Sequence, residues 1–240
     1  MITVCRNEER HHALRGKQDV WLTFDPRSTT QEPLLRFGTL ELVNEERFPP
    51  NAEVKFHPAH EVEIVTYVYD GTLTQEDSLG HFGVIHAGEF QYMTAQPGVH
   101  YLERNASSIE RAHVFQISFA PTEASLAPVR EQRRFSAADR AGTLRTVASP
   151  LELRGTLRLR QNSRIFSALL APGQHLVHGL GEGRAAWLHV VVGEVKLDEH
   201  ILEAGDGAGI TGERAVSVTA SLESEILLID IAEGTTATAA

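Results

Sequence analysis

A hairpin pattern that occurs twice is the feature that most constrains the fold of this chain. Residues 65–95 read VTYVYDGTLTQEDSLGHFGVIHAGEFQYMTA, and residues 188–212 read LHVVVGEVKLDEHILEAGDGAGITG. Each copy runs strand, glycine turn, strand, turn, strand, and then a small residue, a glycine and an acid. The second copy is shorter by several residues, but the order of the turns is the same. Two copies of one supersecondary unit predict two β-units in tandem.

The segments around these copies also have the composition of β-strands. Residues 38–48, 62–71 and 113–121 are rich in β-branched and aromatic side chains and are bounded by turn residues. Asp70-Gly71 is a strong hairpin signal. Strands that recur roughly every ten residues are typical of sandwiches and barrels. The sequence therefore predicts an all-β protein with two antiparallel barrels.

A change in composition predicts the domain boundaries. Residues 120–150 are rich in Ala, Pro, Ser and charged side chains, unlike the strand-rich segments before and after them. We expect an N-terminal barrel over residues 1–125, a connector over 126–145 and a C-terminal barrel over 146–235. Residues 236–240 are expected to form a tail.

Charge and hydropathy exclude several classes of partner. The 240 residues carry a formal net charge of -10, whereas nucleic acids and anionic membranes require a basic surface. No apolar run approaches the ~20 residues of a membrane-spanning helix, and the N-terminus lacks the apolar stretch of a secretory signal. A single cysteine, Cys5, excludes an internal disulfide framework. We expect a cytoplasmic protein that binds neither nucleic acid nor membrane.

Two longer stretches resemble a known family. Residues 37–71, FGTLELVNEERFPPNAEVKFHPAHEVEIVTYVYDG, and residues 77–105, DSLGHFGVIHAGEFQYMTAQPGVHYLERN, are similar to the N-terminal domain of the pirin family of the cupin superfamily. The resemblance covers residues 1 to about 120 and continues more weakly into the second half. It implies two cupin (jelly-roll) β-barrels packed together in one chain.

The resemblance also implies a metal site, which this sequence matches only in half. Pirins typically hold iron through His-Pro-His before the Tyr-containing strand and His-x-Glu on a later strand, and three imidazoles with one carboxylate suit Fe(II). Here His57 and Glu103 match, but Ala59 and Tyr101 stand at the other two histidine positions. We expect these four side chains to line one pocket in the first barrel, beside Val62 or Ile64. The metal set His57 and Glu103 is interpreted as vestigial.

A shifted site is the alternative for the metal. His60 and His100 each lie one position from a missing ligand, so His57, His60, His100 and Glu103 would complete a set. A shift of one residue on a regular strand turns a side chain to the opposite face. Pro58 is compatible with a bulge that would re-aim one of them, and the shifted site therefore stays open.

Two functions follow from the resemblance. In the first, the protein has a metal-free or weakly metal-binding pocket that takes a small organic ligand, or it has a stress or regulatory role through a protein partner. The alternative is a quercetin 2,3-dioxygenase-type oxygenase, which needs Fe(II) or another divalent metal and uses Glu103 as the base that takes the hydroxyl proton. Because the second cupin covers the face that single cupins use to dimerise, the arrangement is compatible with a monomer.

Overall fold

The computed structural model of the protein describes residues 1–25, 27–30, 34–56, 58, 60–120, 128–151 and 153–233, and the backbone of residues 237–238. The chain divides into two compact units. One unit, here called the N-terminal barrel, contains residues 11–22 and 40–134. The other, the C-terminal barrel, contains residues 1–10, 23–39 and 135–240.

The N-terminal barrel is built from two antiparallel sheets. Their orders are β13-β10-β7-β12-β5-β3-β2 and β6-β11-β8-β9. The strands are β2 (His11–Arg15), β3 (Gln18–Leu22), β5 (Leu40–Phe48), β6 (Glu53–Phe56), β7 (Val62–Asp70), β8 (Thr72–Asp77), β9 (Phe82–His86), β10 (Glu89–Ala95), β11 (Tyr101–Asn105), β12 (Ala112–Phe119) and β13 (Arg130–Arg134).

The C-terminal barrel has the same two-sheet construction. Its sheets have the orders β1-β21-β18-β23-β16-β14-β15 and β17-β22-β19-β20, and β24 pairs with β4. The strands are β1 (Ile2–Cys5), β4 (Leu34–Arg36), β14 (Arg145–Ser149), β15 (Leu157–Arg158), β16 (Ser163–Leu170), β17 (His175–Gly179), β18 (Arg184–Val192), β19 (Glu194–Leu197), β20 (His200–Glu203), β21 (Gly207–Ile210), β22 (Ala215–Ala220), β23 (Ser224–Ala232) and β24 (Ala237–Thr238). Only the pairing of β14 with β15 is parallel among the pairings of named strands in the described residues.

The two barrels repeat one topology. Strands β5 to β12 and strands β16 to β23 occur in the same order and take the same places in their sheets. The repeat inferred from the turn pattern is therefore a true structural repeat. The predicted all-β fold with two antiparallel barrels is confirmed.

Equivalent glycines close the first hairpin of each repeat. Gly71 and Gly193 both have a positive φ, +79° and +88°. A Cβ atom at Gly71 would lie 2.6 Å from the carbonyl oxygen of Arg111, and one at Gly193 would lie 2.3 Å from that of Glu223. Any side chain at either position would therefore collide with the backbone of the neighbouring loop, which explains why both turns require glycine.

The domain limits differ from those expected from the sequence. Strand β1 pairs antiparallel with β21, Ile2 opposite Ile210, so the first ten residues belong to the C-terminal barrel. Strand β13, which lies inside the expected connector, pairs with β10 and is an edge strand of the N-terminal barrel. Both differences are pairings between distant segments, which local composition does not encode. The backbone of Ala237–Thr238, in the expected tail, pairs with β4.

Helical structure is limited to two short elements in the described residues. These are a 3-10 helix at Asn7–Glu9 and the α-helix α1 at Ala137–Arg140. Ser136 is the N-cap residue of α1, and its hydroxyl oxygen accepts a hydrogen bond from the backbone N–H of Asp139. Neither element approaches the length and apolar character that a membrane-crossing helix requires, and no other helix occurs in the described ranges.

Candidate ligand-binding site

A row of polar side chains crosses the large sheet inside the N-terminal barrel. Gln116 lies opposite Asn44 on one neighbouring strand and opposite Thr66 on the other, and Thr66 lies opposite Gln91. Directly opposed residues of adjacent strands project from the same face of a sheet. Asn44, Thr66 and Gln91 are almost completely buried. These four residues are called the polar row.

The polar row separates two apolar clusters. Ile64 and Val68 lie two residues to either side of Thr66 on β7, and each belongs to a different cluster. The first cluster contains Phe48, Ala52, Val68, Leu73, Ile85, Ala112 and Val114. The second contains Ile64, Met93, Ala95, Val99 and Tyr101. Burying a polar group costs free energy unless the group is hydrogen-bonded. A polar layer between two apolar layers is therefore a candidate binding site.

Glu103 meets the polar row from the facing sheet. Tyr101, Glu103 and Asn105 alternate with more exposed residues along β11, so all three side chains are buried on the same face. Nε2 of Gln116 donates to both carboxylate oxygens of Glu103 at 2.9 Å, and Nε2 of Gln75 donates to Oε1 at 2.9 Å. Burial raises the pKa of Glu103, and the two amides partly oppose that rise. Both oxygens thus already accept hydrogen bonds from protein donors.

A second carboxyl group, that of Glu46, lies in the same interior. Its Oε2 accepts a hydrogen bond from Nε2 of Gln18, and its Oε1 is 3.9 Å from Nη1 of Arg15. Burial, followed by the charge of Glu103, raises the pKa of Glu46 to about 8. The barrel interior therefore contains two carboxyl groups that disfavour each other's ionisation.

A cavity of about 360 Å³ extends from these groups toward the ends of β5 and β6. This volume falls within the range of sites for small organic molecules. Its apolar walls are Leu42, Val54, Phe56, Pro58, Val62 and Ile64. Its polar and charged lining is Arg15, Glu41, Asn44, Glu46, Lys55, His60, Glu103, Gln116 and Ser118. Apolar walls combined with placed polar and charged groups are typical of a ligand-binding site.

Tyr101 occupies a different place from Glu103. Its ring stacks on Phe56, with ring centroids 4.9 Å apart, and its hydroxyl oxygen accepts a hydrogen bond from the backbone N–H of Gln96 at 3.2 Å. Burial raises the pKa of this hydroxyl. Tyr101 lines a smaller cavity of about 80 Å³, together with Asp77 and Arg130, and not the larger one. Val62 and Ile64, by contrast, lie in the larger cavity with Glu103.

The candidate histidines of a shifted site are not brought together. The side chain of His60 is 60% exposed, with Nε2 3.3 Å from Oε2 of Glu41 at the rim of the large cavity. His100 is exposed and lines a separate open groove with Lys55 and Leu102. His57 and Ala59 lie outside the described residues. In the ranges that the structure describes, no three His, Cys, Asp or Glu side chains are arranged to hold a metal ion. Of the four implied ligand positions, only Tyr101 and Glu103 are described, and they line different cavities, so the described part of the chain shows no assembled iron site.

Several residues of the site were not predicted from the sequence. Glu46, Asn44 and Gln116 form its polar end, yet the motif comparison identified only Glu103. A signal was present in LELVNEERF, residues 40–48, because Asn44 and Glu46 have the same alternation as Leu40 and Phe48. Polar residues at the inward positions of an otherwise apolar strand predict a lined cavity.

The C-terminal barrel has a different interior. Seventeen buried apolar residues form its core cluster, among them Phe166, Leu188 and Leu228. Two of its histidines have hydrogen-bond partners: His175 with Ser217 and His178 with Asp230, both at 2.8 Å. The cavity lined by Glu46, Glu103 and Gln116 lies in the N-terminal barrel.

Two antiparallel barrels of one repeated topology, with a lined cavity in the first, define a bicupin. The chain belongs to the pirin family. The family model described as Pirin matches residues 14–118, and the model described as Quercetinase C-terminal cupin domain matches residues 146–231. These matches agree with the resemblance inferred from the sequence.

Relatives with the same family character cover most of the chain. Quercetin 2,3-dioxygenase of Escherichia coli K12 is 34% identical over 231 residues, which cover 96% of this chain and 99% of that protein. A pirin-like protein of Caulobacter vibrioides is 34% identical over 199 residues, 82% of this chain and 85% of its own. The crystal structure of YhhW from E. coli superposes with a TM-score of 0.85 at 33% identity, covering 96% of this chain and 97% of that chain. The nickel(II) complex of bacterial pirin YhhW has a TM-score of 0.84 at 31% identity, covering 97% and 99%.

Proposed function

We propose that this bicupin binds a small organic ligand in its N-terminal barrel through hydrogen bonds and charge, with a metal site too incomplete for dioxygenase chemistry. The observation that carries the proposal is the environment of Glu103. Gln75 and Gln116 direct their amide N–H groups at the carboxylate, and three hydrogen bonds of 2.9 Å result. A metal ligand would instead offer its oxygen lone pairs to the cation.

The amides argue against metal coordination for a steric and an electrostatic reason. A cation at Glu103 would lie against the partly positive NH₂ groups of Gln75 and Gln116, so at least one amide would have to turn away. Nη2 of Arg130 donates to Oε1 of Gln75 at 3.0 Å, which fixes the orientation of that amide. Turning Gln75 would break this charge-assisted hydrogen bond as well.

The cavity supplies what a small ligand needs. Its volume of about 360 Å³ can hold a molecule with one ring or a short branched chain. Phe56 and Ile64 provide apolar surface, and Glu46 and Asn44 provide polar groups. This division favours a molecule with one apolar and one polar end.

A ring-opening dioxygenase is the second candidate, because relatives at 34% identity are named quercetin 2,3-dioxygenase and a pirin at 31% identity has been solved with nickel(II). Such an activity in this chain would need His57 and at least one further ligand beside Glu103. His60 or His100 would have to leave its exposed position to supply it.

Metal analysis separates the two candidates. The protein is purified without added metal, and iron, nickel, manganese and zinc are quantified by mass spectrometry before and after incubation with each ion. We expect much less than one equivalent of any metal and no ring opening of quercetin in either sample. One tightly held equivalent, together with quercetin turnover, would overturn the proposal in favour of the dioxygenase. The proposed function includes a regulatory role in which ligand binding alters the contact with a protein partner.

A further inference from the structure

Three residues that line the large cavity have a buried oxygen atom with no hydrogen-bond partner among the described residues. The atoms are Oδ1 of Asn44, Oε1 of Glu46 and Oγ of Ser118. Asn44, Glu46 and Ser118 are each about 1% exposed. The nearest cation to Oε1 of Glu46 is the guanidinium of Arg15, at 3.9 Å, which is too far for a hydrogen bond. A buried oxygen without a hydrogen bond is costly, so three in one cavity favour a bound molecule that donates to them.

All three atoms can accept hydrogen bonds, and Oδ1 of Asn44 can do nothing else. A carboxylate oxygen is an acceptor only when it is ionised, while a hydroxyl can accept or donate. A cation beside Glu46 favours its ionised form, so a ligand that satisfies Asn44 and Glu46 together must bring positively charged N–H groups. Because Asn44 and Glu46 are two residues apart on β5, they project to the same face, and one donor group can lie between them.

The distribution of charge favours a cationic donor over a neutral one. Glu46 and Glu103 are buried carboxyl groups of the same interior, whereas the cationic lining residues are more exposed. The side chain of Arg15 is 44% exposed, and Lys55 is exposed, so water screens both of their charges. A positive charge between Glu46 and Asn44 would relieve the mutual repulsion of the carboxyl groups. It would also oppose the burial that raises the pKa of Glu46.

We infer that the ligand is an organic ammonium ion with an apolar body; this inference rests on the proposed ligand-binding function. Its ammonium group donates to Oε1 of Glu46 and Oδ1 of Asn44, and its apolar body lies against Phe56 and Ile64. A protonated primary amine has three N–H donors, which is enough for both oxygens and one further contact. The hydroxyl of Ser118 is available for a second polar group on the ligand.

Three probes that share a 2-phenylethyl group and differ in the charge of the polar end test this inference. They are 2-phenylethylamine, 2-phenylethanol and 3-phenylpropionate, and their affinities for the full chain are measured at neutral pH by ligand-observed NMR and calorimetry. We expect 2-phenylethylamine to bind about tenfold more tightly than the alcohol, and the carboxylate to bind most weakly. Glu46→Gln should lower the amine affinity about tenfold and leave the alcohol affinity unchanged.

The controls separate failure of the inference from failure of the proposed function. Glu53→Gln, which removes an exposed carboxylate outside the cavity, should leave all three affinities unchanged. Asn44→Leu is a second variant that should weaken amine binding, and thermal melts establish that each variant is folded. Equal binding of the amine and the alcohol, or preference for the carboxylate, would overturn the ammonium inference while the ligand pocket stands. If none of the three probes binds, both the inference and the ligand-binding function are overturned.

Discussion

Nε2 of Gln116, on β12, lies 2.9 Å from both carboxylate oxygens of Glu103, on β11 of the facing sheet. This contact joins the two sheets of the N-terminal barrel at the level of the polar row. Gln116→Leu should destabilise that barrel by about 1–3 kcal/mol, because it leaves a buried carboxyl group with fewer donors. The measurement is chemical denaturation of both the single variant and its combination with Glu103→Gln.

The double variant tests the coupling between the two residues. In the Glu103→Gln background the loss of the Gln116 amide should cost less, since no buried charge remains to be solvated. Equal costs in both backgrounds would mean that Gln116 acts through packing and not through Glu103.

Restoring the imidazoles should restore metal binding. Ala59→His with Tyr101→His gives the chain the ligand types that the family resemblance implies, and we expect the double variant to bind nickel or iron more tightly than the unmodified protein. The increase is measured by calorimetry and by metal content after dialysis. Tyr101→Phe with Ala59→Ser is the matched control, because it changes the same positions without adding a ligand. Unchanged affinity in the histidine variant would show that these positions do not converge on Glu103.

Glu46 should make the N-terminal barrel less stable at alkaline pH. Its pKa in the folded protein is raised from 4.5 to about 8, so the folded state holds the proton more tightly than the unfolded state. The stabilisation is therefore fully present below about pH 4.5 and is lost as the pH rises through about 8. We expect Glu46→Gln to be the more stable protein at about pH 9 and to lose this part of the pH dependence. Parallel pH profiles of the unfolding free energy for the unmodified protein and Glu46→Gln would contradict this prediction.

Asp230 should stabilise the C-terminal barrel at neutral pH. Burial favours its protonation, but hydrogen bonds from His178 at 2.8 Å and Arg184 at 2.6 Å and the charge of Arg164 outweigh burial, so the net pKa of Asp230 is lowered. Asp230→Asn should cost roughly 3 kcal/mol, because it leaves the guanidinium of Arg184 without its carboxylate. Thermal unfolding and hydrogen exchange of β16, β18 and β23 measure this loss, with the exposed Glu223→Gln as control.

The stabilisation by Asp230 should be lost in strong acid. Because the folded-state pKa of Asp230 is below its usual value of 3.8, its stabilisation is present above that value and is lost as the pH falls through the folded pKa. The difference in stability between the unmodified protein and Asp230→Asn should therefore shrink in strong acid. A difference that does not change with pH would mean that the carboxylate charge is not the source.

The sequence by itself determined the repeated β-topology and the inward face of the strands. Gly71 and Gly193 mark equivalent turns because each follows a strand and takes a positive φ, which favours glycine. The alternation of Tyr101, Glu103 and Asn105 on β11 follows from the two-residue period of a strand. Both features are local, so they can be read from neighbouring residues along the chain.

Only the tertiary structure decided which distant residues meet. It pairs Ile2 with Ile210 and thereby places the first strand in the C-terminal barrel. It also brings Gln75 and Gln116 to Glu103 and leaves His60 and His100 exposed. The physical reason is that hydrogen-bonding and packing partners in a barrel come from strands far apart in sequence, and their choice depends on the register and curvature of whole sheets. The motif therefore identifies Glu103 from the sequence, but the hydrogen-bond partners of Glu103 are defined only by the folded barrel.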